Sequence, residues 1–382
     1  MATSTKVKHR IISSDDHIFE PPGLWTDRIT SGEFKDRIPH VKRTEDGSDW
    51  WFCDGNKLSS AFSATQAGVR FQDPDSLTIK GADTNYDNVI VGSYDPVEHL
   101  KDMDIDGVDV GIIYPTIGLF LYGIPDGRLL DTVFSTYNDW LADFCATDPN
   151  RLKGIAMINV DDVQVGIKEL ERCAKMDCYP GAMISVYPQE ANSYDNPMYE
   201  PLWAAANELE IPLSLHVGTN RPGPGQEFQD LETVRPAFTA NTDHWARVSV
   251  AHMIFSGVFE RYPKLQVGIV EVELSWAPHF LDRMDYAYQE RPREWAPYRF
   301  KDDMMPSDFF HRNIFMSFQE DAVGIRLRDI IGVDNLVWGA DYPHPEGTWP
   351  RSREILAEIL ADCTEEEKEK IVGKNAAKLY KL

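Results

Sequence analysis

Five side chains capable of metal or proton chemistry stand at or just beyond the ends of apolar runs spread along the whole chain. Asp15 and His17 close RIISSDDH, His216 closes IPLSLH, Glu271 follows LQVGIV, and Asp341 closes NLVWGAD. Imidazole nitrogen and carboxylate oxygen together form a donor set for a borderline divalent cation such as zinc, and a catalytic site of that kind leaves one position open for water. Acids gathered in one pocket without an arginine cluster repel one another, and a dication is the simplest remedy. Asp15, His17, His216 and Asp341 are therefore the expected ligands, with Glu20 in reserve. Asp341 and Glu271 are the expected proton carriers. Each has a plainer alternative. A single histidine at a strand end is often a hydrogen-bonded core residue, and Glu271 can be a salt-bridged structural acid, although an unpaired carboxylate is costly to bury there. His344, in the turn Tyr342-Pro343-His344-Pro345, reads equally as support for the site or as turn structure. His252 falls inside a helical pattern and reads as packing.

These residues meet only if strands deliver them to one mouth. Arg10–His17, Val108–Tyr114, Leu152–Asn159, Gly181–Tyr187, Ile211–Gly218, Leu265–Glu273, Asn313–Gln319 and Asn335–Asp341 read as strands, with helical periodicity between them. Eight strands alternating with helices predict a (β/α)₈ TIM barrel, whose chemistry lies at the carboxyl ends of its strands. A doubly wound sheet fits less well, because DDHIFEPP offers no glycine-rich phosphate turn. The strand ends then also include Tyr114, Asn159, Tyr187 and Gln319. A polar and aromatic stretch, about 28–95, interrupts the pattern as a loop or hairpin inserted between the first and second strands, serving as substrate cap or structural flap. Its Trp51, beside Trp50 and Phe52, offers a stacking face to an apolar substrate or simple cap packing. The chain is read as a single barrel domain spanning 1–382.

The balance of 38 basic against 62 acidic residues, a formal −24, excludes nucleic acid and anionic membrane as main partners. No apolar run is long enough for a bilayer, and MATSTKVKHR lacks the apolar core of a secretion signal. Five scattered cysteines, Cys53, Cys145, Cys173, Cys178 and Cys363, form no C-x-x-C pair and read as ordinary thiols of a cytoplasmic protein.

The segments DDHIFEPPGLW, SLHVG, SGVFERYPKLQVGIVE, LSWAPHFLDRMD and GADYPHPEGTWPRS resemble, in order, the amidohydrolase-related family that includes aminocarboxymuconate semialdehyde decarboxylase. The resemblance implies a metal-dependent TIM barrel, usually a homodimer or higher homo-oligomer. Its implied activity is nonoxidative decarboxylation of small aromatic or unsaturated carboxylic acids, with metal-dependent hydrolysis as the close alternative. A non-catalytic ligand-binding barrel is the third reading. The family's ligand positions fall on Asp15, His17, His216 and Asp341, and zinc is the expected ion, with manganese or iron as alternatives. Two departures stand out. Asp15 occupies a place where relatives commonly carry His or Glu, and Glu271 stands where the decarboxylases carry a catalytic His. Arg283, in LDRMD, matches an arginine that in some relatives grips a substrate carboxylate across a subunit interface; a helix salt bridge is the alternative.

Overall fold

The computed structural model describes residues 9–62, 65–78, 81, 83–222 and 236–382. Most of the N-terminal stretch inspected above for a secretion signal lies outside them. β1 (Ile12–His17) is followed by a small antiparallel sheet, β2 (His40–Arg43), β3 (Asp49–Cys53) and β4 (Asn56–Ser60). Seven further strands follow: β5 (Val110–Tyr114), β6 (Leu152–Met157), β7 (Gly181–Ile184), β8 (Leu213–His216), β9 (Val267–Val270), β10 (Ile314–Phe318) and β11 (Leu336–Trp338). β1 and β5–β11 pair in parallel in sequence order, with helices between them. This is the expected TIM barrel. All six residues of β1 are buried, as a strand covered on both faces requires.

Backbone hydrogen bonds bring the first and last strands together: the Asp341 amide donates to Asp15 O at 2.7 Å and the His17 amide to Tyr342 O at 2.6 Å. The approach is so close that a Cβ on Gly339 would lie 2.5 Å from the Asp15 Cβ and 3.0 Å from its backbone nitrogen. Only glycine fits there.

Aspartates start several barrel helices. Asp95, Asp126 and Asp162 accept from the first amides of Pro96–Asp106, Gly127–Cys145 and Val163–Cys173, satisfying donors that the helix itself leaves free. Leu129, Val133, Tyr137, Leu141 and Phe144 then recur at helical spacing and bury one face of the longest helix against the sheet. The C-terminal segment forms short helices at Ser352–Ile359, Glu365–Glu369 and Asn375–Leu379. Among the described residues, no helix is long and apolar enough to cross a membrane.

The insertion holds three strands where a loop or single hairpin was expected. Asp54 and Gly55, with φ of 51° and 75°, form the two-residue turn that joins β3 to β4. β2 adds to the other edge of β3. The segment after β4 reaches the barrel's carboxyl-terminal mouth: Arg70 donates from Nε to Gly347 O and pairs with Glu320, while Tyr86 donates to Glu20 O.

Candidate active site

The pairing of β1 is irregular between Ser13 and Asp16, and beyond it Asp15 and His17 share one face while Asp16 turns away. The Ser13 hydroxyl holds Asp16 at 2.7 Å. His216 ends β8, Glu271 is the first residue beyond β9, and Asp341 lies three residues beyond β11. Glu271 and Asp341 both adopt left-handed backbone, φ 58° and 56°. That region costs a residue with a side chain about 1–3 kcal/mol, and such strain concentrates at functional sites.

The five side chains converge. His17 Nε2 lies 3.3 Å from Asp15 Oδ1, 3.4 Å from Asp341 Oδ1 and 3.9 Å from Glu271 Oε2. His216 Nε2 lies 3.6 Å from Asp15 Oδ1 and 3.2 Å from Glu271 Oε2. Each of these atoms is buried and makes no hydrogen bond, and so is Asp341 Oδ2. Buried polar atoms are seldom left unsatisfied, and six in one pocket mark a place for a partner that is itself a strong electrophile. The histidines are turned to suit a cation. His17 Nδ1 faces Pro115 O at 2.8 Å and His216 Nδ1 faces Val217 O at 3.1 Å. With the proton on Nδ1, each Nε2 directs its lone pair into the pocket. Asp15, His17, His216 and Glu271 form one group of ligand atoms able to share an ion; His17, Glu271, Asp341 and His344 form an overlapping one.

The electrostatics agree. Burial, then the neighbouring charge of His344, lowers His17 to about 3, which keeps its imidazole neutral. Burial raises Glu271 and Asp341 well above the usual carboxylate range, reinforced by the charge of Asp341 on the first and of Asp15 on the second. Burial would raise Asp15 too, but the nearby imidazoles of His17 and His216 outweigh it and hold it low. The pocket therefore resists holding all three carboxylates ionised without a balancing cation, and the donor set fits a divalent metal.

Gln319, at the end of β10, donates from Nε2 to Asp15 Oδ2 at 3.1 Å, leaving Oδ1 to face the histidines. His344 stacks on His17 with ring centroids 4.0 Å apart, puts Nδ1 2.8 Å from Asp341 Oδ1, and meets Thr116 Oγ1 through Nε2. Thr116 carried no sequence signal, because a hydroxyl following a Tyr-Pro pair is unremarkable until the barrel closes.

Other residues singled out from the sequence lie elsewhere. Glu20 accepts from the amides of Ile117 and Gly118, so its carboxylate caps a backbone turn instead of facing the ligand cluster. Trp51 is fully buried, donates to the Tyr86 hydroxyl and stands edge-on to Trp25, so cap packing describes it and it offers no stacking face. Arg283 is exposed and lies over the Tyr286 ring. Asn159 bonds Gly127 O and Asp131 and Tyr187 lies tilted against Trp245, whereas Tyr114, paired with Ser214, stands beside the site with its ring 5.9 Å from that of His17 and 5.1 Å from that of His216. His252 pairs with Asp195 on the outside of the site.

The sequence model of the amidohydrolase family matches residues 93–382. Gamma-resorcylate decarboxylase from Rhizobium sp. (strain MTP-10005) is 26% identical over 294 residues, 74% of this chain and 86% of the relative. The 2-amino-3-carboxymuconate-6-semialdehyde decarboxylase of Dictyostelium discoideum is 24% identical over 294 residues, 76% and 77% of the two chains. Among solved structures, a dihydroxybenzoic acid decarboxylase from Polaromonas sp. JS666, with bound manganese and the inhibitor 2-nitroresorcinol, superposes with a TM-score of 0.63 at 17% identity, covering 98% of this chain and 97% of its own.

Proposed function

Because the chain belongs to the amidohydrolase family, we propose that it is a metal-dependent carboxy-lyase acting on a small aromatic or unsaturated carboxylic acid. The observation that carries this reading is the convergence of buried, unbonded imidazole and carboxylate atoms at the barrel mouth, in a chain whose curated relatives are named as decarboxylases.

Asp15, His17, His216 and Asp341 would hold the ion. When bound, a divalent cation draws electron density from the substrate's oxygens and offsets charge that builds during C–C cleavage. Gln319 and the Pro115 carbonyl fix the orientations of Asp15 and His17. A proton passes from a site carboxyl, at Asp341 Oδ2 or Glu271 Oε2, to the carbon that bears the substrate's carboxylate. The C–C bond then breaks, CO₂ leaves, and the bonding pair returns to the substrate framework, so that hydrogen replaces carboxylate with no oxidant or organic cofactor. Burial and the neighbouring carboxylates raise both groups above the ordinary carboxylate range, which favours their holding a proton for transfer.

Manganese is favoured over the zinc expected from the residue types. Asp15, Asp341 and Glu271 make the cluster rich in hard oxygen donors, and the Polaromonas decarboxylase structure contains bound manganese. Arg283 and Arg291 over Tyr286, with Trp295 72% exposed nearby in the chain, give a patch of the residue types enriched at protein interfaces, and the proposal extends to a homo-oligomer. The five cysteines are all free, which suits a cytoplasmic location.

Incubation with aromatic acids in ¹⁸O-labelled water tests the reaction class. A product lacking one carboxyl, formed with release of CO₂, is expected. Label entering the organic product at a cleaved ester or amide bond would make the enzyme a hydrolase instead.

A further inference from the structure

We infer that Glu271 is a fifth protein ligand of the cation, closing the open side of the metal centre and leaving proton transfer to Asp341. The inference rests on the metal-centre reading above and deepens it.

Donor atoms about 2.0–2.2 Å from a shared ion stand roughly 3.0–3.6 Å from their neighbours in octahedral or tetrahedral arrangements. Asp15 Oδ1 meets that spacing to both imidazoles, at 3.3 and 3.6 Å. Glu271 Oε2 meets that spacing to one imidazole, at 3.2 Å from His216 Nε2, and stands farther, 3.9 Å, from His17 Nε2. It is buried and makes no hydrogen bond. Its partners are imidazole nitrogens, and among the described residues no lysine or arginine is paired with it to make it a structural acid. The Glu271 side chain as a whole is 20% exposed, whereas those of Asp15, His17, His216 and Asp341 are wholly buried. Glu271 thus comes from the solvent side, while the others form the floor. Its backbone is left-handed, φ 58°, a conformation that concentrates at functional sites.

A carboxylate engaged in this way is poorly placed to carry a proton to substrate. Asp341 is better suited, because its Oδ2 is buried without a hydrogen bond while Oδ1 faces His17 and His344. One can bind the ion while the other handles the proton. With five protein donors, three of them carboxylates, an octahedral ion keeps one coordination place for water or substrate, whereas four donors would leave two.

The test loads purified wild-type protein, Glu271→Ala and Glu271→Gln with Mn²⁺. It reads exchangeable inner-sphere waters by electron–nuclear double resonance in H₂¹⁷O and affinity by competition with a chelator. Thermal melts of the metal-free proteins establish folding. One inner-sphere water is expected in the wild type and an additional one in Glu271→Ala, with affinity falling by at least about tenfold in both variants, as losses around metal ligands do. Two waters in the wild type, or variant affinities within about twofold of it, would overturn the inference while leaving the metal centre standing. The wild-type water count decides the matter even if a variant fails to fold. Failure of the wild type to bind Mn²⁺, Zn²⁺ or Fe²⁺ at all would remove the metal centre and the inference together.

Discussion

At the scale of single residues, the account turns on which polar atoms have partners. His216 Nδ1 faces a carbonyl and its Nε2 meets only acids, so His216→Ala should strip the ion and abolish turnover while leaving the barrel folded. Metal analysis by mass spectrometry beside an activity assay checks this; retained metal would place the ion elsewhere. Asp16 gives a separate, pH-dependent prediction. Burial, opposed by the Ser13 hydrogen bond and reinforced by Asp15's charge, raises its carboxyl from 3.8 to about 8. The folded chain keeps this proton where the unfolded chain releases it. The contribution is therefore fully present below pH 3.8 and is lost as pH rises toward 8, by at most about 1.4 kcal/mol per pH unit. Asp16→Asn removes that titration, so its stability relative to wild type should increase from pH 5 to pH 8, as read from urea unfolding at both values. A pH-independent difference would show that Asp16 is ionised in the fold.

At the scale of elements, the meeting of β1 and β11 places Asp15 beside Asp341, and Gly339 permits it. Gly339→Ala should push the strands apart, costing about 1–3 kcal/mol from overpacking and weakening metal binding together with melting temperature. Loss of stability with metal affinity intact would mean that the seam does not set the ligand geometry. The seam explains why so much was legible in the sequence. Barrel strands are buried on both faces and read as short apolar runs, and an acid or imidazole at the end of such a run has few structural reasons to be there. Asp15, His17, His216, Glu271 and Asp341 stood out for that reason. Residues whose roles come from contacts across the barrel were harder to read. Gln319 was seen at a strand end but not as the support of Asp15, and Thr116 gave no signal. Glu20 looked like a ligand because it lies three residues after His17, yet two backbone amides of the next barrel segment claim it. The third strand of the insertion escaped notice because His40–Arg43 carries little apolar patterning; its pairing with β3 decides its conformation.

At the scale of the whole molecule, a cation held only by the folded chain couples metal occupancy to stability. Chelation should abolish turnover and lower the melting temperature, and Mn²⁺ should restore both; free ion at about 100 times its dissociation constant contributes about 2.7 kcal/mol. Scanning calorimetry with and without chelator reads this directly, and identical melts would argue against a resident ion. The exposed arginine–aromatic patch makes its own prediction: Trp295→Asp should shift the protein toward monomer in sedimentation experiments, and an unchanged distribution would remove that face from the assembly. The most direct test of the central claim is an anomalous difference map from a crystal of the Mn²⁺-loaded protein. The account predicts one strong peak at the carboxyl-terminal mouth of the barrel, about 2.0–2.3 Å from the facing atoms of Asp15, His17, His216 and Asp341. A map with no peak among those side chains, or with the ion bound elsewhere on the barrel, would contradict it.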